Sequence, residues 1–593
     1  MKVIINGQPI TTDRPMTILE AARICDIHIP TLCYHAKLGV AGNCGICVVE
    51  VAGSANPVLA CETEITEGME IVTDSARVKA LRERRLREIL SSHPNDCLTC
   101  FRSQGDCQLQ DLVYQLGIDM DTVTFRSQAQ MVDKDLSSPS LLRDMNKCIK
   151  CGRCVAVCDQ VQGIGALGYV RHGAEEIIDT VSGLPIAETS CIYCGQCINV
   201  CPVGAITENL SIYQFTKAVA DPDMTVLVQI APAVKVALGE EFKLPAGTDV
   251  SGKLVTALRL LGVDKVFNTD FSADLTIMEE GTEFLGRLNN SGQLPMITSC
   301  CPSWVKFAEQ NYPQLLPHLS SCKSPQQMFG AIAKTFYAQK ENLNPGKICV
   351  VSVMPCVTKK FEASRPEMAR DGIREVDIVL TTRELAKLIR LNKINFNQLA
   401  DGDFDYDLGF ATGAGTIFGV TGGVMEAAVR TISEVITGTQ REKIEFMPVR
   451  GLAGVKEAEI TLNGQTLRLA VVSGARNAAR IMEQIKDGSS PYHFIEVMGC
   501  PGGCIAGGGQ PLPVMSTEIQ NRARGLYAID EGKAVRKSHE NPAIKAVYEQ
   551  FLTEPNGHLA HELLHTHYTD RSNISKGGTN DDCSENKRQA CAG

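Results

Sequence analysis

Residues 298–304 read "TSCCPSW" and set Cys300 beside Cys301 after an apolar run and before a helical pattern. Neighbouring side chains of an extended segment point to opposite faces, so the two thiols are not expected to share one task. Two further apolar runs also end in cysteine motifs, "VSVMPCVTKKFE" (351–362) and "FIEVMGCPGGC" (494–504). Around them, between about residues 209 and 515, apolar β-rich runs ("TVLVQIA", "LPMITS", "ICVVSVMP", "LAVVSG", "HFIEVM") alternate with helical patterns ("APAVKVALGEEF", "LTIMEEGTEFLGRL", "SPQQMFGAIAKTFYAQ", "ARNAARIMEQI"). Fully apolar strands separated by helices predict parallel α/β architecture, here long enough for two lobes. Ligands of such sheets bind beyond the carboxyl ends of the strands. Cys301, Cys356, Cys500 and Cys504 are therefore placed to converge on one buried metal centre. The "GGGQP" of 507–511 lets backbone lie close against something bulky.

The rest of the composition agrees with a metal-rich protein. With 593 residues the chain needs several domains, and 25 cysteines in a reducing compartment read as metal ligation rather than disulfides. The start, "MKVIINGQPITTDRPMTILEAA", has no secretory leader pattern and no apolar run is long enough to span a bilayer, so a cytoplasmic location is expected. A formal net charge of -10 argues against nucleic acid as the main partner.

Residues 1–78 read as a small α+β unit, with Asn6-Gly7 as a hairpin signal and Cys33, Cys44, Cys47 and Cys61 spaced C-x10-C-x2-C-x13-C. The C-x2-C pair and distant fourth cysteine suit a [2Fe–2S] cluster, although the first gap exceeds that of plant-type ferredoxins. The arginine-rich helix that follows reads as a solvated face. His93, Cys97, Cys100 and Cys107 offer a set of one imidazole and three thiols; zinc is a legitimate occupant, and the neighbouring motifs favour a [4Fe–4S] cluster. "CIKCGRCVAVC" (148–158) and "CIYCGQCINVCP" (191–202) repeat C-x2-C-x2-C-x3-C. In two-cluster ferredoxins the fourth cysteine ligates the other cluster, which pairs Cys148, Cys151 and Cys154 with Cys201, and Cys191, Cys194 and Cys197 with Cys158. The first run ends in Asp159 where the motif prefers proline. The glycines of "GAGTIFGVTGG" (413–423) do not fit a dinucleotide fingerprint. Cys25 and Cys349 sit in apolar patterns and read as inert core, whereas Cys322, Cys583 and Cys591 have no assigned role. His558, His561 and His565 recur at helical spacing and read as packing rather than metal ligands.

"TSCCPSW", "MPCVTKKFE" and "EVMGCPGGCIAGGGQP" resemble the three signature segments of the [FeFe]-hydrogenases, and the upstream sites resemble their long multi-cluster members. The resemblance implies reversible chemistry, 2H⁺ + 2e⁻ ⇌ H₂, at an H-cluster: a [4Fe–4S] unit bridged to a di-iron unit bearing CO, cyanide and an azadithiolate. It implies Cys301, Cys356, Cys500 and Cys504 as ligands, with Cys504 bridging, and Cys300 as proton donor. Lys359 resembles a cyanide-binding residue, and Pro232, Gln326, Met354, Phe418 and Met498 match residues packed around the di-iron unit. Glu280, Ser320, Glu283 and Arg287 match a proton path to solvent. Ala233 stands where some relatives have a serine, and six residues separate Cys100 from Cys107 where relatives more often have five.

The fold implied is multi-domain α+β and α/β: a β-grasp [2Fe–2S] unit (1–78), a small helical [4Fe–4S] unit with one histidine and three cysteine ligands (79–137), a 2×[4Fe–4S] ferredoxin-like unit (138–208), a two-lobed catalytic domain with parallel sheets (209–515), a small-subunit-like wrap (516–570) and a disordered tail (571–593). That gives one [2Fe–2S] and three accessory [4Fe–4S] clusters. The N-terminal half also resembles the large iron–sulfur subunit of respiratory complex I. Implied partners are H₂ and protons, ferredoxin, a flavin-bearing NAD(P)-binding subunit, a small [2Fe–2S] subunit and maturation proteins, within a hetero-oligomer. The alternatives are a stand-alone ferredoxin hydrogenase and a non-catalytic assembly or sensory homologue.

Overall fold

Asn6 and Gly7 both adopt positive φ, 52° and 80°, and this tight turn joins strands Lys2–Ile5 and Gln8–Thr11 in antiparallel register. Lys2–Ile5 pairs in parallel with Glu70–Val72, which pairs antiparallel with Val48–Val51, giving a five-stranded sheet. Helix Ile18–Ile24 begins with a capping box between Thr17 and Glu20 and buries Ile18, Leu19, Ala21 and Ala22. The computed structural model describes residues 1–102, 105–171, 176–290, 292–439 and 444–575. Cys583, Cys591 and the tail from residue 576 lie outside the described residues.

The arginine-rich helix, Ala76–Ser91, corrects one expectation. It buries Val78, Arg82, Leu86 and Leu90, a stripe at four-residue spacing, so one arginine lies on the inner face. Arg82 donates from Nε to the Ile46 carbonyl at 3.1 Å and from Nη2 to that of Val48 at 2.9 Å, pinning the chain on both sides of Cys47. Arg84 and Arg85 do face solvent, beside Glu88.

In the repeated cysteine region two short helices, Arg153–Ala156 and Gln196–Val200, start at Gly152 and Gly195. Beyond it stand two four-stranded sheets. In one, Lys265–Asn268, Thr225–Ile230, Ile348–Met354 and Ile378–Thr381 are all parallel. In the other, Met296–Ile297, Phe494–Met498 and Gln465–Ser473 are parallel, but Val455–Leu462 is an antiparallel edge strand. The hairpin at Asn463-Gly464, both at positive φ, explains this departure from a purely parallel lobe. Helix Thr269–Asn289 is shared: Phe271 and Leu275 enter one core, Ala273, Ile277 and Phe284 the other. The helix expected over 231–242 is shorter, a turn at Pro232–Lys235 followed by a 3₁₀ stretch at Leu238–Phe242.

The C-terminal segment wraps the catalytic unit. Cys322 and His565 form an antiparallel bridge, flanked by Lys323 N–H to Leu564 O and Thr566 N–H to Ser321 O, each 2.7 Å. Arg571 donates to Glu309 at 2.9 Å and Ser572–Ser575 is helical, so the start of the tail, expected to be disordered from 571, is ordered through 575.

Cluster unit and catalytic unit meet backbone to backbone. A Cβ on Gly508 would lie 2.6 Å from the Gly195 Cα and 2.8 Å from the Cys194 carbonyl. Gly508→Ala should therefore lower unfolding free energy by ~1–3 kcal/mol, the cost of overpacking, read as a fall in Tm of the purified chain. An unchanged Tm would show that this contact yields.

Candidate active site and metal centres

Three strand ends and the loop after Ile230 line a cavity of about 90 Å³. Cys301, Cys356, Cys500 and Cys504 all border it, as do Pro232, Gln326, Met354, Lys359, Phe418 and Met498. Cys300 also borders it. The two thiols part in their packing: Cys300 lies against the core that holds Phe418 and Met498, Cys301 against the core around Trp304. Burial, and then the neighbouring thiols, push Cys500 and Cys504 well above the ordinary thiol range. Burial, then Glu280 and Cys301, do the same to Cys300, which is thereby kept a neutral thiol.

Burial works against the charge of Lys359, yet Glu362 holds it above its usual value. The Lys359 ammonium donates to Glu362 Oε2 at 2.8 Å and to the Cys300 carbonyl at 3.1 Å. Glu362 Oε2 also accepts from Ser324 Oγ at 2.9 Å and Gln326 Nε2 at 3.0 Å. This buried carboxylate, which orients two cavity-lining side chains, was not singled out in the sequence; its spacing of three from Lys359 on helix Thr358–Ser364 is the available signal. Gln326 Oε1 is buried without a hydrogen-bond partner among the described residues.

Glu280 is buried, and neither carboxyl oxygen makes a normal hydrogen bond among the described residues, although the Ser320 hydroxyl and Ser299 amide lie near enough to favour its anion. Burial, then the charge of Glu283, push it up to about 8. Ser320 Oγ donates to Glu283 Oε2 at 2.7 Å, and Arg287 Nη2 donates to Glu283 Oε1 at 2.6 Å. Thus Ser320, Glu283 and Arg287 form a continuous chain outside the cavity, with Glu280 between it and Cys300.

The upstream cysteines gather in separate groups. Cys158, Cys191, Cys194 and Cys197 line one cavity, and Cys148, Cys151, Cys154 and Cys201 another. Burial pushes Cys191 and Cys148 up to about 11. Cys33, Cys44, Cys47 and Cys61 are all buried, with Cys47 and Cys61 sulfurs 3.3 Å apart. In the remaining group burial pushes Cys107 up to about 11, with Cys100 and Cys97 adding to it. His93 shares its Nδ1 with the Pro94 carbonyl at 2.8 Å, while its buried Nε2 has no partner among the described residues. That leaves a neutral imidazole with one nitrogen free to ligate, the arrangement a metal-binding histidine needs. The Cys100–Cys107 gap crosses residues 103 and 104, which lie outside the described residues. Thiols gathered in groups of four, with one group replacing a thiol by an imidazole whose Nε2 is orphaned, fit iron–sulfur clusters.

These thiol groups and the parallel-sheet cavity define an iron–sulfur oxidoreductase. The profile of the "Iron only hydrogenase large subunit, C-terminal domain" matches residues 224–508. That of the "Iron hydrogenase small subunit" matches 516–571, and a 2Fe-2S cluster binding domain matches 1–76. Residues 82–121 match the NADH-ubiquinone oxidoreductase-G iron–sulfur binding region. Residues 138–207 match the ferredoxin-like domain of NADH-quinone oxidoreductase subunit 3. The chain is 47% identical to the NADP-reducing hydrogenase subunit HndD of Solidesulfovibrio fructosivorans, over 97% of this chain and 100% of that one. It is 43% identical to iron hydrogenase 1 of Clostridium pasteurianum, over 95% and 99%. The apo [FeFe]-hydrogenase HydA1 of Chlamydomonas reinhardtii superposes with a TM-score of 0.56 at 41% identity, covering 62% of this chain and 100% of that one. This chain belongs to the [FeFe]-hydrogenases and catalyses reversible H₂ oxidation and proton reduction, with accessory iron–sulfur domains to carry the electrons. No helix among the described residues is long and apolar enough to cross a membrane.

Proposed function

We propose that this chain is the hydrogen-converting subunit of a cytoplasmic complex that sends electrons from H₂ to a flavin-bearing subunit reducing NAD(P), with ferredoxin as a further acceptor and a small [2Fe–2S] subunit as companion. Cys301, Cys356, Cys500 and Cys504 would hold the [4Fe–4S] part of an H-cluster, with Cys504 bridging to its di-iron part. That group, once inserted by maturation proteins, supplies the site where the H–H bond is made or broken. Lys359 and Gln326, both tied to Glu362, orient polar groups toward it; Pro232, Met354, Phe418 and Met498 exclude water. Cys300 holds a proton at its sulfur and exchanges it with Glu280, from which Ser320, Glu283 and Arg287 lead to the surface. One [2Fe–2S] cluster on Cys33, Cys44, Cys47 and Cys61, one [4Fe–4S] on His93, Cys97, Cys100 and Cys107, and two on the paired groups of the ferredoxin-like unit complete the relay.

One observation supports this reading most directly: the Cys191, Cys194 and Cys197 group adjoins the cavity, the Cys500 sulfur lying 4.0 Å from the Cys194 carbonyl. The test is acceptor specificity. Purified alone and matured, the chain should reduce viologen or ferredoxin with H₂ but not NAD(P)⁺, which should turn over only when companion subunits are added. Direct NAD(P)⁺ reduction by the isolated chain would overturn this division of labour.

Glu280 gives a prediction with a definite sign. Its carboxyl lies at about 8 in the folded chain against 4.5 unperturbed, so folding favours the neutral acid. Its contribution to stability is complete at low pH and is lost as pH rises through that window. Glu280→Gln should flatten the fall in unfolding free energy between those values, measured by denaturant unfolding at stepped pH. An identical pH profile in the variant would refute it.

A further inference from the structure

The two repeated cysteine runs differ at one equivalent position. Arg153 stands between Gly152 and Cys154, and Gln196 between Gly195 and Cys197. Both glycines have positive φ, 77° and 71°, and each opens a short helix, so the two side chains leave the unit from matching places. Each reaches the loop of a neighbouring thiol group. Gln196 Nε2 donates to the Ala506 carbonyl at 3.1 Å, in the loop after Cys504. Arg153 Nη2 donates to the Tyr34 carbonyl at 2.8 Å, and its Nε to that of Cys33 at 3.4 Å. Its Nη1 donates to Gln108 Oε1 at 3.0 Å, beside Cys107, and to the Val200 carbonyl at 3.5 Å, beside Cys201. One guanidinium thus joins the backbone of two thiol groups and a side chain next to a third. Arg153 is buried, and a guanidinium keeps its charge in a protein. Such a charge is costly unless an anion offsets it. Its four acceptors are three carbonyls and an amide oxygen, all neutral. Burial works against its charge, and Cys151, Cys201, Cys33 and Cys44 work for it. Those sulfurs belong to two of the groups, so in the loaded protein the anions that offset Arg153 are the clusters themselves.

We propose that Arg153 sets potentials in the electron relay, its fixed charge raising those of the cluster on Cys148, Cys151, Cys154 and Cys201 and of the [2Fe–2S] cluster. This rests on the ligand groups proposed above. A reduced cluster carries one more negative charge than its oxidised form, so a nearby cation favours reduction. The cluster on Cys191, Cys194, Cys197 and Cys158 has the neutral Gln196 at the matching position and gains no such help. An electron from H₂ that leaves this cluster oxidises it and reduces the next one outward. From there it passes to the [2Fe–2S] cluster, while Arg153 gains and loses nothing. The exchange of one residue within the repeat thereby gives the relay a direction, downhill away from the cavity.

The test is a redox titration of the full chain with its clusters in place, followed by electron paramagnetic resonance. It compares the wild type with Arg153→Gln, which copies the second run, and Arg153→Lys, which keeps the charge. In Arg153→Gln the equilibrium for reducing the [2Fe–2S] cluster should fall ~10-fold, about 59 mV for one electron, and one [4Fe–4S] component should fall with it. Arg153→Lys should lower Tm, having lost the forked contacts, yet keep both potentials near those of the wild type. Gln108→Glu changes an exposed residue, leaves Arg153 in place and sets a carboxylate against Nη1; it should lower the same two potentials. If the lysine and glutamine variants shift the potentials alike, lost contacts rather than lost charge are responsible and the proposal is overturned. Unmoved potentials in Arg153→Gln or in Gln108→Glu overturn it as well. Iron content and signal intensity separate the two readings: intact signals at unmoved potentials remove only the role of Arg153. A wild-type chain with no [2Fe–2S] signal would take the relay down with it.

Discussion

Cys300→Ala is expected to cut turnover in both directions by ~10²–10⁴-fold, the usual worth of a positioned acid–base group, while leaving metal content unchanged. Cys300 borders the cavity without belonging to the four thiols proposed as ligands, so its removal should not empty the site. It is also the group between the cavity and Glu280, and burial beside Glu280 keeps its sulfur protonated. Metal analysis with infrared spectroscopy of the matured variant separates the two effects. Near-normal turnover would remove Cys300 from the proton path; lost CO and cyanide bands would make it a structural residue of the site.

Arg383→Met should be among the most damaging changes away from the cavity, lowering unfolding free energy by ~3–5 kcal/mol, the cost of leaving a buried charge without its partner. Arg383 is buried and donates to Glu208 at 2.9 and 3.0 Å, while also donating to the Gly508 and Gln510 carbonyls at 2.6 and 2.5 Å. Burial opposes the Glu208 charge, yet Arg383 holds its carboxyl below the usual range. One guanidinium thus fastens the end of the cluster unit, at strand Ile206–Glu208, to the glycine loop after Cys504. Denaturant unfolding of the variant measures the loss. The double change Arg383→Met with Glu208→Leu should recover much of it, because both charges then leave together. No recovery would mean that the two backbone contacts matter more than the ion pair.

The sequence was most legible where chemistry dictates spacing. Thiol ligands must sit at short fixed intervals around a small inorganic core, so each cysteine group could be picked out as a string of letters. Strand ends carrying Cys301, Cys356 and Cys500 were legible because buried parallel strands are apolar along their length. Contacts between distant segments left no such trace. Glu362 looks like any helical glutamate until Ser324 and Gln326 are brought to it, and His565 meets Glu279 across 286 positions of chain. Arg82 was misread for a related reason: within an arginine-rich run, only the four-residue stripe with Val78, Leu86 and Leu90 tells the inward residue from its solvated neighbours. The antiparallel edge of the second sheet was readable in principle from Asn463-Gly464.

The contact between Gly195 and Gly508 also restricts how the enzyme can be controlled. Tunnelling slows steeply with distance, and a hinge that opened at this point could throttle the current. Two residues without side chains, interlocked at backbone range beneath the Arg383 clamp, leave no slack for such a hinge. The spacing between the Cys191 group and the cavity is held there, and a hinge acting on the proposed electron route would have to sit farther upstream.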